Sequence, residues 1–272
     1  MRGSLGEKIG EGATADIHAW APGQVLKLFK AGVAREHSWW EARMTRAVFA
    51  AGAPAPEVLD EVTLEGRFGI VLTRLDGPTL LQLLLTRAMT REQVGAILAA
   101  LYISVHKTPP APDVLPLRDW FDAVSRLSGG MLPKHIATGV LTLIERLPPG
   151  DALCHNDLHL GNVIMTADGP RIIDWLATVR AGAALDLGRC HVTTTELVYE
   201  PEGTDPERPR ALNAAVQSEY ARLAGMSLAA LTAAMELYLP ILRAIALADP
   251  VTHPARRERL IQRVEATLRS ED

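Results

Sequence analysis

Cysteine is scarce: Cys154 and Cys190 are the only two in 272 residues. Two thiols cannot build a disulfide framework, and they are too few for a thiolate zinc site. Both stand among apolar neighbours and read as buried and inert. Long apolar runs are missing as well. None reaches ~18 residues without a charge or a proline, so no membrane span is expected. The opening MRGSLGEKIG holds no apolar stretch of signal-peptide length, and a cytoplasmic location is the expectation. An excess of positive charge is absent: the formal net charge is -4 and the pI about 6.1. Sequence-independent nucleic-acid binders are usually basic, so no nucleic-acid partner is expected. Aromatic residues make up only 5% of the chain, a poor supply for an aromatic cage around a quaternary ammonium. No fixed-period repeat is visible.

What remains is an ordinary globular composition, 48% hydrophobic and 22% charged, in a chain long enough for one large or two modest domains. The first seventy residues or so read mainly as short strands. Ala21 to Gln24, APGQ, is a turn: Pro22 presets φ and Gly23 supplies a positive one. VLKLF follows as a strand with Val25, Lys27 and Phe29 on one face. Residues 35–51 read as a helix from the spacing of Trp39, Met44 and Val48. The prolines of APAPEVLD demand extended chain, and two more strands follow around 58–63 and 68–73. After LDGPT the pattern turns helical. Thr90 and Gln93 form a capping box before a helix ending near His106. Further helices are expected over 117–127, 134–147, 208–224, 227–247 and 255–269, with Pro240 kinking or splitting the fourth. The expected organisation is an N-terminal lobe over 1–73, a linker at 74–77 and a C-terminal lobe over 78–272.

Three clusters carry chemistry. In Gly10-Glu11-Gly12-Ala13-Thr14, two glycines after an apolar strand let backbone N–H groups approach an anion, and Thr14 adds a hydroxyl. A tight hairpin without ligand is the competing reading of these residues. Lys27 stands inside an apolar strand, where it faces either solvent or a partner. Glu41 is the candidate partner, with Glu36 as its competitor. The third cluster is Leu153 to Met165, LCHNDLHLGNVIM, with its sequel RIIDW. Phosphoryl transfer needs a carboxylate to orient a hydroxyl and take its proton, oxygen ligands for a hard divalent cation, and cations to balance phosphates. Asp157 fits the first role, Asn162 and Asp174 the second, and Lys27 the third. A rival reading takes His155, Asp157 and His159 as zinc ligands of a metal hydrolase, because alternate residues of an extended segment share a face.

HNDLHLGNV followed by IIDW resembles the catalytic and metal-binding segments of the aminoglycoside phosphotransferase and choline kinase-like superfamily. The glycine loop, VLKLF, Glu41, PAPEVL and TRLDG occur in the order that superfamily shows, and the resemblance covers residues 5 to 190 or so. It implies an α+β, bilobal protein-kinase-like fold: a small antiparallel-sheet N-lobe with one helix, and a larger, mainly helical C-lobe. It implies an ATP-dependent kinase of a small-molecule hydroxyl, with ATP and Mg²⁺ as cofactors. Asp157 would be the catalytic base, and Asn162 and Asp174 the metal ligands. Gly10, Gly12, Thr14 and Lys27 would meet the phosphates, Glu41 would position Lys27, and backbone near Thr73 and Leu75 would meet adenine. His155 and His159 would shape the loop. An inactive, nucleotide-binding kinase-like protein is the alternative within the same fold.

The chain also departs from protein kinases. Asn156 replaces their arginine, Trp175 follows Asp174, and only eleven residues separate Asp174 from Asp186. No regulated activation segment fits there. Asp186 is expected to brace the catalytic loop. For a polycationic acceptor, the candidate acids are Glu196, Glu200, Glu202, Asp205 and Glu219, although solvated surface charge is their plainer reading. The sequence leaves the acceptor open.

Overall fold

The computed structural model describes residues 5–197, 207–249 and 252–271. Two compact units emerge from its contacts: Met1–Leu85 with Leu160–Ala177, and Thr86–His159 with Thr178–Asp272. This partition cuts the chain differently from lobes drawn at the linker. The first unit keeps the linker and takes back a later segment.

The first unit is built on a five-stranded antiparallel sheet in the order β1-β2-β3-β5-β4. Its strands are β1 (Lys8–Glu11), β2 (Ala15–Ala19), β3 (Gln24–Phe29), β4 (Val58–Leu64) and β5 (Arg67–Thr73). The alternation in VLKLF divides as strand geometry requires. Leu26 and Leu28 pack with Val71 on one face, and Phe29 packs with Ala15, Ala42, Val58 and Ile70 on the other. That second face carries α1 (Arg35–Ala50).

Met44 and Val48 of α1 are fully buried as expected, but Trp39 is 47% exposed. It lies five positions before Met44, which is off the apolar stripe of a 3.6-residue period. The guanidinium of Arg43 stacks over its outer surface. The buried stripe instead includes Ser38, Glu41, Ala42 and Thr45.

After β5 the chain is fastened to the returning segment. Met165 donates its backbone N–H to Pro78 O at 2.9 Å, and Thr79 bridges Ile164. A Cβ on Gly77 would stand 1.9 Å from Met165 O, so only glycine permits this approach. Helix α2 (Leu80–Leu85) then starts from a second capping box: Thr79 N–H to Gln82 Oε1 at 2.8 Å, and Gln82 N–H to Thr79 Oγ1 at 3.1 Å.

The second unit is mainly helical: α3 (Arg91–Lys107), α4 (Leu117–Leu127), α5 (Lys134–Glu145), α6 (Ala184–Thr195), α7 (Glu207–Ala224), α8 (Leu228–Glu236), α9 (Leu239–Ala248) and α10 (Pro254–Glu271). The Thr90–Gln93 capping box forms as expected. The expected helix at 227–247 is two helices, α8 and α9, meeting at a 49° bend. Pro240, at the start of α9, cannot supply the N–H that a continuous helix needs there. The unit also holds a short antiparallel pair, β6 (Ala152–Cys154) with β9 (Val179–Ala181). The hairpin of β7 (Val163–Thr166) and β8 (Gly169–Ile172) belongs to the first unit. Among the described residues, no single helix is long and apolar enough to cross a membrane.

Helix α6 escapes a reading from propensity because it ends in Val-Thr-Thr-Thr, β-branched residues that favour strands. Here the threonine hydroxyls bond back to carbonyls one turn earlier: Thr193 to Arg189 O at 2.9 Å, Thr194 to Cys190 O at 2.6 Å and Thr195 to His191 O at 2.7 Å.

Candidate active site

In the first unit, Lys27 lies on the α1-facing side of β3. Its Nζ is 2.5 Å from Glu41 Oε1 and 3.4 Å from Asp174 Oδ1. Glu41, not Glu36, is therefore the partner. Burial works against the Lys27 ammonium, yet the two carboxylates outweigh it and raise its pKa above the ordinary lysine value. The Glu41 carboxyl is pushed up, first by burial and further by Asp174, with Lys27 pulling it down. One ammonium thus faces two carboxylates, a buried Glu41 and a partly exposed Asp174, and the other Glu41 oxygen, Oε2, is buried without a hydrogen-bond partner.

The turn presenting Asp174 is fixed on both sides. Ile172 N–H reaches Pro54 O at 2.7 Å, and Ile173 N–H reaches Asn162 O at 2.9 Å. The backbone of Asp174 is then left-handed, φ 67°, an uncommon conformation for a residue with a side chain. Trp175, fully buried, locks the next residue by donating Nε1–H to Ile172 O at 2.8 Å. Asn162 is also buried, in the 3₁₀ turn Leu160–Asn162 ahead of β7. An amide oxygen and a carboxylate suit a hard divalent cation, which takes few protein oxygens and keeps the rest of its shell for water and phosphate. The surplus negative charge around Lys27 favours such a cation as well.

In the glycine loop, Gly12 N–H closes a tight turn on Ala15 O at 2.8 Å. Side chains at Gly10 or Gly12 would meet only ordinary contacts at 3.5 Å, and neither residue has a positive φ. The hairpin itself therefore does not need these glycines. Thr14 is exposed at the loop tip. On the linker, the amide of Thr73 is taken by Glu57 O and that of Arg74 by Gly23 O. The backbone of Leu75 makes no hydrogen bond among the described residues. A pocket of about 420 Å³ opens beside the linker between Phe49, Glu57, Thr73, Leu75, Asp168 and Arg171. None of Gly10, Gly12, Thr14, Lys27, Asn162 and Asp174 lines it.

In the second unit, the loop after β6 is held from several directions. Asp186 accepts the backbone N–H of His155 at 3.0 Å and of Asn156 at 2.6 Å. His106 Nε2 lies 3.2 Å from the same carboxylate, and Tyr220 holds the other ring nitrogen at 2.9 Å. Tyr102 donates its hydroxyl to Leu158 O at 2.7 Å. Asn156 takes φ 60°, which asparagine tolerates better than most residues. Asp186 braces the loop as expected, and His155, fully buried, accepts the Asp157 N–H at 3.2 Å. Asp157 itself is 35% exposed in its side chain. Arg189, on α6, was not legible as a site residue. Its Nη2 is 3.4 Å from Asp157 Oδ1, while its Nε and Nη1 are buried without hydrogen-bond partners. The arginine is visible in LDLGR, but nothing in that motif points 32 residues back.

The zinc arrangement of His155, Asp157 and His159 does not form. His155 is fully buried and His159 is exposed, so the loop does not show them on one face. Among the described residues, the group of possible metal ligands that does gather is His106, Cys154 and Asp186, and its carboxylate already serves two amides. Among the acceptor acids, Glu196 is engaged by Arg243 and Arg263, and Glu219 pairs with Arg222. Glu200, Glu202 and Asp205 lie outside the described residues. Of the aromatic residues that a cage around a quaternary ammonium would call on, Trp120 and Trp175 are buried in the core, and Tyr199 lies outside the described residues.

A kinase-like sheet, a lysine–glutamate pair joined to a distant aspartate, and a braced loop bearing Asp157 define a class of phosphoryl-transfer proteins. Residues 7–225 match the family model described as the phosphotransferase enzyme family, and the chain belongs to that family. Solved structures share its fold. An aminoglycoside-3'-phosphotransferase of type VIII aligns at a TM-score of 0.61 and 21% identity, over 91% of this chain and 93% of that one. An ethanolamine kinase from Plasmodium vivax aligns at 0.60 and 13% identity, over 97% and 83%. The aminoglycoside phosphotransferase APH(3'')-Id from Streptomyces rimosus, in complex with ADP and streptomycin, aligns at 0.57 and 20%, over 86% and 91%. Among curated proteins, none matches the sequence.

Proposed function

We propose that this phosphotransferase moves the γ-phosphate of ATP to a hydroxyl of a small molecule, an antibiotic or a metabolite, with Mg²⁺ as its metal. The carrying observation is the ion cluster in which Lys27 meets both Glu41 and Asp174, 147 positions away in the sequence. A buried lysine held charged in this way is suited to phosphate oxygens. Asn162 and Asp174 would hold the metal, whose charge supports the phosphates when bound. Glycines that the hairpin does not need leave room for a phosphate to approach backbone N–H groups. The unpaired backbone of Leu75 is suited to a purine edge. Similar proteins solved with ADP or with ATP add weight to a nucleotide donor.

Asp157 does the proton work in this reading. Its carboxylate orients the acceptor hydroxyl and takes its proton as the oxygen attacks the γ-phosphorus, while the bond from that phosphorus to the β–γ bridging oxygen breaks and ADP leaves. The brace on the loop keeps that carboxylate in position, so most of the rate comes from placement and charge balance. The test is an ATP-consumption screen against aminoglycosides, macrolides, amino alcohols and sugars, with and without Mg²⁺. Acceptor-dependent ATP loss that requires Mg²⁺ supports the proposal. ATP binding without turnover on any acceptor would favour the inactive nucleotide-binding alternative.

A further inference from the structure

Glu196, an acid that could serve a cationic acceptor, stands instead among cations. At the C-terminal end of α6 lies a pocket of about 350 Å³, lined by Thr195, Glu196, Arg210, Arg256, Arg259 and Arg263 among others. Glu196 is the only acid among these residues, and its oxygens are already occupied. Arg243 bonds it at 2.9 and 3.1 Å, and Arg263 at 2.9 Å. Burial pushes the Glu196 carboxyl up, but the two guanidinium groups outweigh this and hold it below the usual range. At the rim, Arg210 pairs with Glu207 at 2.8 Å. Among the described residues, the cluster therefore sets five guanidinium groups against two carboxylates. Arg256, Arg259 and Arg263 recur at helical spacing and share one face of α10. Arg256 donates to Leu197 O.

Arg259 makes no ion pair among the described residues, and guanidinium forks match phosphate and carboxylate oxygens. The pocket is also tied to the catalytic loop through one helix. Arg189, beside Asp157, and Glu196, at the end of α6, are seven positions apart and so fall on the same face. They are separated by ~10 Å along the axis. We infer that this pocket receives an anionic group of the acceptor, so that the substrate is a hydroxyl compound carrying a phosphate or carboxylate. This rests on the phosphotransferase reading above and names the substrate class for it.

The binding half is tested without nucleotide. The full chain is labelled with phenylglyoxal, and each arginine is followed by peptide mass mapping with and without inorganic phosphate. Phosphate slows labelling of Arg259 and Arg263 at least fivefold, but not that of exposed Arg126 and Arg269. Equal labelling rates at Arg259 and Arg263 with and without phosphate overturn the pocket. Protection that appears only in an E200Q/E202Q/D205N variant also overturns it, since the chain's own acids then fill the site. The substrate half uses hydroxy compounds bearing phosphate, carboxylate, amine or no charge. Either of the first two is turned over, and which one responds identifies the anion. The double variant Arg210→Gln/Arg259→Gln, at exposed positions, raises the acceptor KM at least tenfold while the ATP KM holds. Turnover of amine acceptors with the same KM in wild type and variant rules the inference out. Phosphate protection without any ATP turnover removes the phosphotransfer reading and leaves the anion pocket standing.

Discussion

The carboxylate of Asp186 receives the backbone N–H of Asn156 at 2.6 Å, across 30 residues of sequence, while Asn156 sits at φ 60°. Its other oxygen serves His155. One buried side chain thus fixes two successive amides of the loop that bears Asp157. Asp186→Ala would remove the carboxylate that those amides share and that lies beside His106 Nε2. The expected cost is about 3–5 kcal/mol of unfolding free energy, the range for breaking a buried charged network. Urea unfolding followed by circular dichroism measures it. A loss under about 1 kcal/mol would mean that the loop holds its own shape.

Lys27→Met should weaken Mg-ATP binding by about tenfold or more, which is ~1.4 kcal/mol per decade. It also strands the buried Glu41 carboxylate beside Asp174, whose side chain is partly exposed. Adding Glu41→Gln removes that buried carboxylate, so the double variant should be more stable than Lys27→Met alone. Calorimetry gives the affinity and denaturant unfolding the stability. A double variant less stable than either single one contradicts the ion-cluster account.

Asp157→Asn keeps the shape of the side chain and loses the carboxylate proposed as the base. ATP affinity should stay within about twofold of wild type, while turnover falls by roughly two to four orders of magnitude. Asp174→Ala should do the reverse first, abolishing the Mg²⁺ dependence of nucleotide binding. Full activity in Asp157→Asn would move the base elsewhere.

The Glu196 carboxyl has a lowered pKa in the folded chain, relative to an ordinary value of 4.5. A depressed acid contributes stability above its unfolded pKa and loses it as pH falls through the folded one. Wild type should therefore exceed Glu196→Gln in stability near neutral pH, with the gap closing below pH 4.5. Unfolding curves at pH 7, 5 and 3.5 check it. A gap that does not depend on pH would mean that the arginines do not select the ionised form.

The parts legible in the sequence were local. The capping box at Thr90, the split at Pro240 and the alternation of VLKLF each express a rule acting within a few residues. The partner of Lys27 could be narrowed to two acids because a helix face limits the choices. Helix α2 carried a readable sign, the Thr79–Gln82 box, but only six residues of pattern to support it. Helix α6 was hidden by its threonines, and with it Arg189. Glu196 looked like free surface charge because Arg243 and Arg263 lie 47 and 67 positions further on. Pairings at that range follow from packing between helices and leave no local trace.

The partition of the chain falls inside the motif itself. His159 closes a segment of one unit and Leu160 opens a segment of the other. On the proposed assignment, the proton acceptor Asp157 belongs to the helical unit, and the metal ligands Asn162 and Asp174 to the sheet unit. On that assignment, proton transfer and metal binding are divided between two units linked by the chain at three points, one of them inside this nine-residue motif.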